Sequence, residues 1–211
     1  DYFSTGSNAF GILLGNGWYS LPTRDVFGMH DANWHTPPKV RLNVVVEYES
    51  GARDVIVTDR TWKWGHGEIV YNSVRSGETI DHTKSVHGWN EPGFCDSLWR
   101  NVCHVPAPLG KLTADPMPPM RVVKELKPVG ITETGPGVYL VDFGENLTGW
   151  VETRVRGSRG QTVELQFNEV LKADGSLDTQ NSTWHTRGRY QTELLILGGD
   201  GEETFEPRFT Y

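Results

Sequence analysis

Cysteine is scarce. Cys95 and Cys103 are the only two in 211 residues. Their C-x7-C spacing is not that of a metal site. They either pair, if their Cα atoms come within about 7 Å, or stay as free, half-buried thiols, so cysteine usage leaves the compartment open. An excess of positive charge is also missing. Lys and Arg number 20 against 27 Asp and Glu, for a formal net charge of -7. With no Lys/Arg cluster, a nucleic-acid partner is not expected. No apolar run approaches the ~20 residues that cross a bilayer. Almost nothing reads as a long amphipathic helix. The 7 histidines form neither H-x-x-x-H nor H-E-x-x-H, which argues against zinc. There is no G-x-S-x-G elbow and no phosphate-cradling glycine loop. No signal segment is visible, and a start at Asp1-Tyr2-Phe3 reads as that of a processed or cut chain.

What is present is turn chemistry. The chain has 24 Gly, 12 Pro and 8 Trp, with 36% hydrophobic residues, a folded and turn-rich composition. Short apolar runs alternate with Gly/Pro/Asp/Asn clusters about every 8–12 residues, the mark of β-sandwiches. Strands are expected at 9–14, 39–48, 55–58, 63–66, 67–73, 120–129, 137–142, 149–156, 162–169 and 188–197. In the second of these, Leu42, Val44, Val46 and Tyr48 alternate with Arg41, Asn43, Val45 and Glu47, giving one buried and one wet face. Glu49-Ser50-Gly51 and Gly199-Asp200-Gly201 read as hairpin turns. Five prolines between Pro106 and Pro119 mark a connector, because proline removes a donor and favours extended backbone. The expected fold is therefore all-β: two consecutive antiparallel β-sandwiches, of jelly-roll or concanavalin-like type, at 1–110 and 111–211.

Four clusters carry candidate chemistry. Gly15-Asn16-Gly17-Trp18-Tyr19 turns sharply and presents two rings that suit a sugar face, with Asn16 for hydroxyls; the plainer reading is a turn with core aromatics. Ser76 to His82 and His87 to Trp99 are rich in acids, amides and loop carbonyls, as calcium requires, and Trp89 or Trp99 offers a stacking platform. The alternative is a loop of turn-capping acids and core tryptophans. Glu164, Glu169, Asp174 and Asp178 could be considered for a glycosidase pair, which needs carboxyls about 5–9.5 Å apart; they read instead as surface acids and turn formers. Asn146-Leu147-Thr148 and Asn181-Ser182-Thr183 fit the short, common glycosylation sequon.

The stretch 139–151 joins two alternating runs through a turn carrying Asp142, Gly144, Asn146 and Gly149. It belongs to an ordered series. Asn8-Ala9-Phe10-Gly11 leads into Gly15-Asn16-Gly17-Trp18-Tyr19. Thr58-Asp59-Arg60-Thr61-Trp62-Lys63, Gly77-Glu78 with Asp81, Gly88-Trp89 and Asp96-Ser97-Leu98-Trp99 follow. Then come Pro118-Pro119-Met120-Arg121, Asp142-Phe143-Gly144-Glu145-Asn146 with Gly149-Trp150, Glu169-Val170-Leu171 with Asp174-Gly175, and Glu206-Pro207 with Phe209-Thr210-Tyr211. In this order the series resembles the bacterial α-L-rhamnosidases of glycoside hydrolase family 78. Two positions depart from the family: His82-Thr83 stands where a small residue and Arg often follow Asp81, and Glu145 stands where Gln is commoner. The segment like 1–6 also nearly abuts the one like 8–19, where family members have some tens of residues between them.

The resemblance implies a rhamnose-binding N-terminal β-sandwich, then a concanavalin-like sandwich, then a catalytic (α/α)6 barrel in the same chain beyond Tyr211. The parent enzyme would release terminal L-rhamnose by inverting hydrolysis. No catalytic residue is expected within 1–211. In some members the first module binds rhamnose with calcium, and the residues here that would do so are Glu78, Asp81, Trp89 and Asn90. The expected partners are L-rhamnose-containing glycans and the downstream domain, with no nucleic acid and no membrane, in a secreted or periplasmic protein. The rival expectation is a scaffold that binds nothing. On either reading Asp142 and Asn146 hold their turn and Trp150 packs the core.

Overall fold

The structure is a computed structural model that describes residues 3–24, 27–107, 109–180 and 188–208. The second sequon and the Phe209-Thr210-Tyr211 motif lie outside the described residues, as does His185. The chain is all-β, and among the described residues the strands are interrupted only by two single-turn 3-10 helices, Met29–Asp31 and His82–Lys84. Strands β1 (Asn43–Glu47) and β2 (Arg53–Val57) form a two-stranded ribbon closed by the expected turn. There Gly51, at φ 80°, donates to the Tyr48 carbonyl at 2.8 Å. Val44 and Val46 are half-buried while Asn43, Val45 and Glu47 face solvent. β3 (Lys63–Trp64) runs in the same half of the chain.

The organising element is a four-stranded sheet. It contains β4 (Ile69–Ser73) and β5 (Gly77–Asp81), which pair antiparallel across a tight turn. β6 (Arg100–Asn101) instead pairs with β3, and β7 (Gly130–Gly135) with β8 (Val138–Asp142). β9 (Thr153–Arg156) precedes β10 (Thr162–Gln166) and β11 (Thr192–Ile196). The sheet order is β10-β11-β5-β4, with β11 parallel to β5. It thus takes two strands from each side of the proline-rich connector. β12 (Glu202–Phe205) follows Gly201 but pairs with β9, so the Gly199–Gly201 turn redirects the chain and makes no hairpin with β11.

One face of the sheet carries the core. Ile80, Leu195, Leu197 and Phe205 are buried together, with Ile69, Val155, Val163 and Leu165 against them. Strand parity puts Glu78 and Glu193 in the same row as Ile80 and Leu195. The other face carries Tyr71, Thr79, Glu164, Gln166 and Leu194.

Two expected strands are not strands. Residues 9–14 and 120–129 have no ladder partner, and Met120 and Val123 are 91% and 94% exposed. An apolar run without a neighbour to pair with stays irregular. Conversely β5, a Gly-Glu-Thr-Ile-Asp segment expected to be loop, is a central strand; its polar side chains disguise it. The exposed area is large for the mass. The chain presents 16017 Å², about 1.6 times what a folded monomer of this size shows. Apolar side chains on β1, β2, β7 and β8 contribute to it.

Candidate functional site

The residues expected to hold sugar or calcium fall in two places. Glu78 and Asp81 lie on β5, three positions apart, so they face opposite sides of the sheet. Trp89 and Asn90 sit on the 88–91 turn, where the Glu91 N–H donates to the Gly88 carbonyl at 2.9 Å. No hydrogen bond or ion pair among the described residues joins the two pairs. Trp89 is half-buried, and its ring is so close to the backbone at Gly11 that a Cβ there would sit 1.9 Å from it. Asn90 is exposed.

Glu78 is wholly buried and heavily engaged. One carboxylate oxygen pairs with Arg208 at 2.8 Å, while Oε2 is buried with no partner among the described residues. The Glu78 N–H donates to the buried Glu193 carboxylate. Burial pushes the Glu78 carboxyl up; Arg208 opposes this and Glu193 adds to it, leaving the pKa at about 7. Below it, Arg189 donates to the Glu78 carbonyl, to Thr79 Oγ1 at 2.6 Å and to the Thr192 carbonyl from Nε at 2.8 Å. Its guanidinium lies 5.2 Å from the Tyr71 ring centre. Gly77 is required here: its φ is +84°, and a Cβ would meet the Thr192 carbonyl at 2.2 Å.

Asp81 is a helix cap. Its carboxylate accepts from Thr83 Oγ1 at 2.6 Å and Thr83 N at 3.1 Å, and pairs with Lys84 at 3.0 Å. The Thr83 hydroxyl, chiefly, holds this carboxyl below its usual range. Next to it, His82 meets Glu203 at 2.6 Å. Burial works to raise the Glu203 carboxyl, but the N–H groups of Gly198 and Gly199 and the His82 ring outweigh it and hold it low. Among the described residues no group of three or more His, Cys, Asp or Glu side chains converges as a metal site would require. A calcium ion at the 88–91 turn would have one carboxylate of that turn, Glu91, and otherwise amide and carbonyl oxygens to draw on.

The first aromatic cluster is partly structural. Asn16 is locked to β4 through Asn72, donating from N at 2.8 Å and from Nδ2 at 2.9 Å, so it is not held out for hydroxyls. Trp18 and Tyr19 are left near the surface. Tyr19 stacks on Trp34 with ring centres 6.2 Å apart, and its hydroxyl accepts from Lys39 at 2.6 Å. Trp34 joins this cluster, and so does Arg75, which lies over Trp18. Neither is signalled in the sequence, because no local spacing links them to the 15–19 turn.

The remaining acids serve local contacts, two of them in turns. Asp174 accepts from Ser176 N at 3.0 Å, Asp178 from Gln180 N at 3.1 Å, and Glu164 from Gln166 at 2.8 Å. Glu164, Gln166, Arg189, Thr192 and Leu194 line an open hollow of about 300 Å³ on the polar face of the sheet. In the 139–151 stretch, Asp142 accepts from Gly144 N at 2.7 Å in the expected turn, whereas Asn146 reaches Glu169 at 3.5 Å. Trp150 does not pack the core. It is 38% exposed, and its Nε1–H donates to Glu206 at 2.7 Å. Cys95 and Cys103 are both free and exposed.

Fold and site together define an all-β module that ties its acids into the structure and leaves aromatic rings at its surface. Comparison with known proteins makes this specific. The profile of the α-L-rhamnosidase N-terminal domain matches residues 1–124. That of the bacterial α-L-rhamnosidase concanavalin-like domain matches residues 132–211. The chain belongs to the bacterial α-L-rhamnosidase family. It is 37% identical over 207 residues to an α-L-rhamnosidase of Streptomyces avermitilis, covering 98% of this chain and 19% of that protein. The structure of the Streptomyces avermitilis enzyme complexed with L-rhamnose superposes with a TM-score of 0.76 at 36% identity, over 92% of this chain and 18% of that one. An α-L-rhamnosidase from Dictyoglumus thermophilum gives a TM-score of 0.74 at 38% identity, over 81% and 19%. The chain therefore spans about a fifth of the length of the relatives it matches.

Proposed function

We propose that this chain is the β-rich N-terminal part of an α-L-rhamnosidase, an enzyme that removes terminal L-rhamnose from glycosides or polysaccharides by inverting hydrolysis. Its own work is to position the glycan or to brace the catalytic domain of the same protein. The observation that carries this is the paired match: two rhamnosidase domain profiles fit in order along the whole chain. The complex of the Streptomyces avermitilis relative with L-rhamnose supports the substrate class. The large exposed area, with apolar side chains on β1, β2, β7 and β8 among it, is consistent with a covering domain. A secreted or periplasmic setting goes with a polysaccharide substrate. Among the described residues no helix is long and apolar enough to cross a membrane.

Within this reading, half-buried Trp89 and exposed Asn90 on the 88–91 turn are the members of the Glu78, Asp81, Trp89 and Asn90 set that would touch a sugar. Glu78 and Asp81 would support it from β5, and calcium, if used, would sit at the turn. The competing reading, a scaffold with no ligand, is favoured by the engagement of Glu78 and Asp81 in internal pairs. Calorimetric titration of the chain with L-rhamnose, with and without chelator, separates the two. Heat that the chelator abolishes supports a calcium-assisted site, and no heat at millimolar sugar leaves only bracing. An aryl rhamnoside should not be hydrolysed by residues 1–211 alone.

A further inference from the structure

A second cavity is used by none of the foregoing. It measures about 160 Å³ and is lined by Trp18, Val74, Arg75, Tyr190 and Gln191. Three segments meet there: the 15–19 turn, the β4–β5 turn and the approach to β11. Arg75 is the one charged side chain on its wall. Its guanidinium lies over two rings, 5.2 Å from the centre of Trp18 and 5.3 Å from that of Phe27. Stacking of this kind holds the planar cation in one orientation. Its Nε is nonetheless buried, with no hydrogen-bond partner among the described residues. A buried donor left unpaired is costly, and a bound acceptor removes that cost.

The wall is also strained. Gln191 has φ 41°, the one described non-glycine residue with positive φ. Its N–H donates to the Arg75 carbonyl at 3.0 Å, and its own carbonyl accepts from Phe167 at 3.2 Å. The unfavourable backbone is thus pinned to the residue that carries the unpaired donor. Strain maintained in this way gathers at ligand clamps and switch regions. Trp18, 40% exposed, adds an aromatic ring to the same wall.

We propose that this cavity binds a carboxylate-bearing pyranose, a uronate unit of a glycan. The carboxylate is received by the Arg75 fork, and the C–H-rich side of the ring lies toward Trp18. Arg is suited to a planar carboxylate, which it meets with parallel N–H donors. The acidic class follows from Arg75. The choice of a sugar over another carboxylate rests on the rhamnosidase reading above. The site shares no lining residue with the Trp89–Asn90 turn.

The test is calorimetry and saturation-transfer NMR on the 211-residue chain. The probes are D-glucuronate, D-galacturonate, L-rhamnose and acetate. A uronate should bind, and Arg75→Gln and Trp18→Ala should each weaken it by on the order of tenfold or more. Arg75→Lys, which keeps the charge and loses the fork, should weaken it as well. Melting curves check that each variant is folded; the Gln191–Arg75 backbone bond survives all three. Uronate binding that Arg75→Lys and Arg75→Gln leave unchanged overturns the proposal. So does acetate binding as tightly as uronate, which would mark a simple anion site. L-rhamnose heat that persists in Arg75→Gln, with no uronate binding to the parent chain, overturns the uronate site and leaves the rhamnosidase reading standing.

Discussion

Glu78→Gln should change how stability depends on pH. Burial raises the Glu78 carboxyl from an ordinary 4.5 to about 7. A carboxyl raised on folding contributes stability that is fully present below the unfolded value. That contribution is lost as pH rises through the folded one. The wild-type chain therefore weakens between about pH 5 and pH 8 as Glu78 is forced to ionise beside Glu193. Each pKa unit corresponds to about 1.4 kcal/mol, so the titration removes roughly 2 to 3 kcal/mol over that interval. The side chain is 1% exposed, so solvent screening does not reduce this much. For a chain of this length the loss corresponds to roughly 5 to 10 °C in Tm. Gln is nearly isosteric and does not titrate. Its Tm should stay flatter over the same range, whatever constant offset the lost Arg208 pair adds. Thermal melts followed by circular dichroism at half-unit pH steps measure both curves. Comparing variant with parent cancels the titration of Glu203 and Asp81. Parallel pH profiles for the two proteins would refute the reasoning, because they would mean that Glu78 ionises freely in the fold.

Gly77→Ala should destabilise by about 2 kcal/mol or more, combining strain at φ +84° with a clash on the Thr192 carbonyl; urea unfolding measures it, and an unchanged midpoint would contradict the β5–β11 contact. Asp81→Ala should cost about 1 kcal/mol through loss of the cap. Because the Asp81 carboxyl is held low, its contribution is present above the ordinary carboxyl range and fades as pH falls, so variant and parent melts should converge in acid. Both Cys95 and Cys103 are free and exposed, so a thiol reagent should titrate two thiols per native chain without denaturant. Finally, residues 1–110 and 111–211 expressed apart should each lack a cooperative melt at the temperature of the whole chain, since β5 and β11 pair across the connector; an intact transition in either piece would disprove that dependence.

Much of the fold is legible because period-2 patterns write themselves plainly where one face is apolar. The β1–β2 ribbon, β4, β8, β9, β10 and β11 all read that way. β5 does not, because only Ile80 is aliphatic in Gly-Glu-Thr-Ile-Asp. Its strand character comes from neighbours on both sides, which no local pattern records. The same blindness misplaces the site. A run of acids in sequence suggests a ligand loop, whereas the fold turns Glu78 inward to Arg208 and Asp81 outward to Thr83 and Lys84. Trp150 errs the other way: a tryptophan beside a turn is expected in the core, and it instead bonds Glu206 at the surface. The family motifs, by contrast, need no fold to be read. Their order along the chain carries the information.

The charged groups at the β5–β11 seam, buried Glu78 and Glu193 with the arginines that reach them, explain why β5 can be polar at all. Glu78, Glu193, Arg189 and Arg208 come from segments more than 100 residues apart, and they meet where β5 and β11 run parallel. An apolar row at this seam would tolerate a two-residue slip along the strand, since each slip of two returns the same face to the core. The charged set does not. Sliding β11 by two residues would separate the Glu78 N–H from Glu193 and the Glu78 carbonyl from Arg189, leaving buried groups unpaired at a cost of about 3–5 kcal/mol. Fixing one register at the seam sets how the N-terminal segments sit against the concanavalin-like half. That is the geometry a bracing or positioning module has to keep constant. The acids that resemble a binding site are thus better suited to specifying the joint.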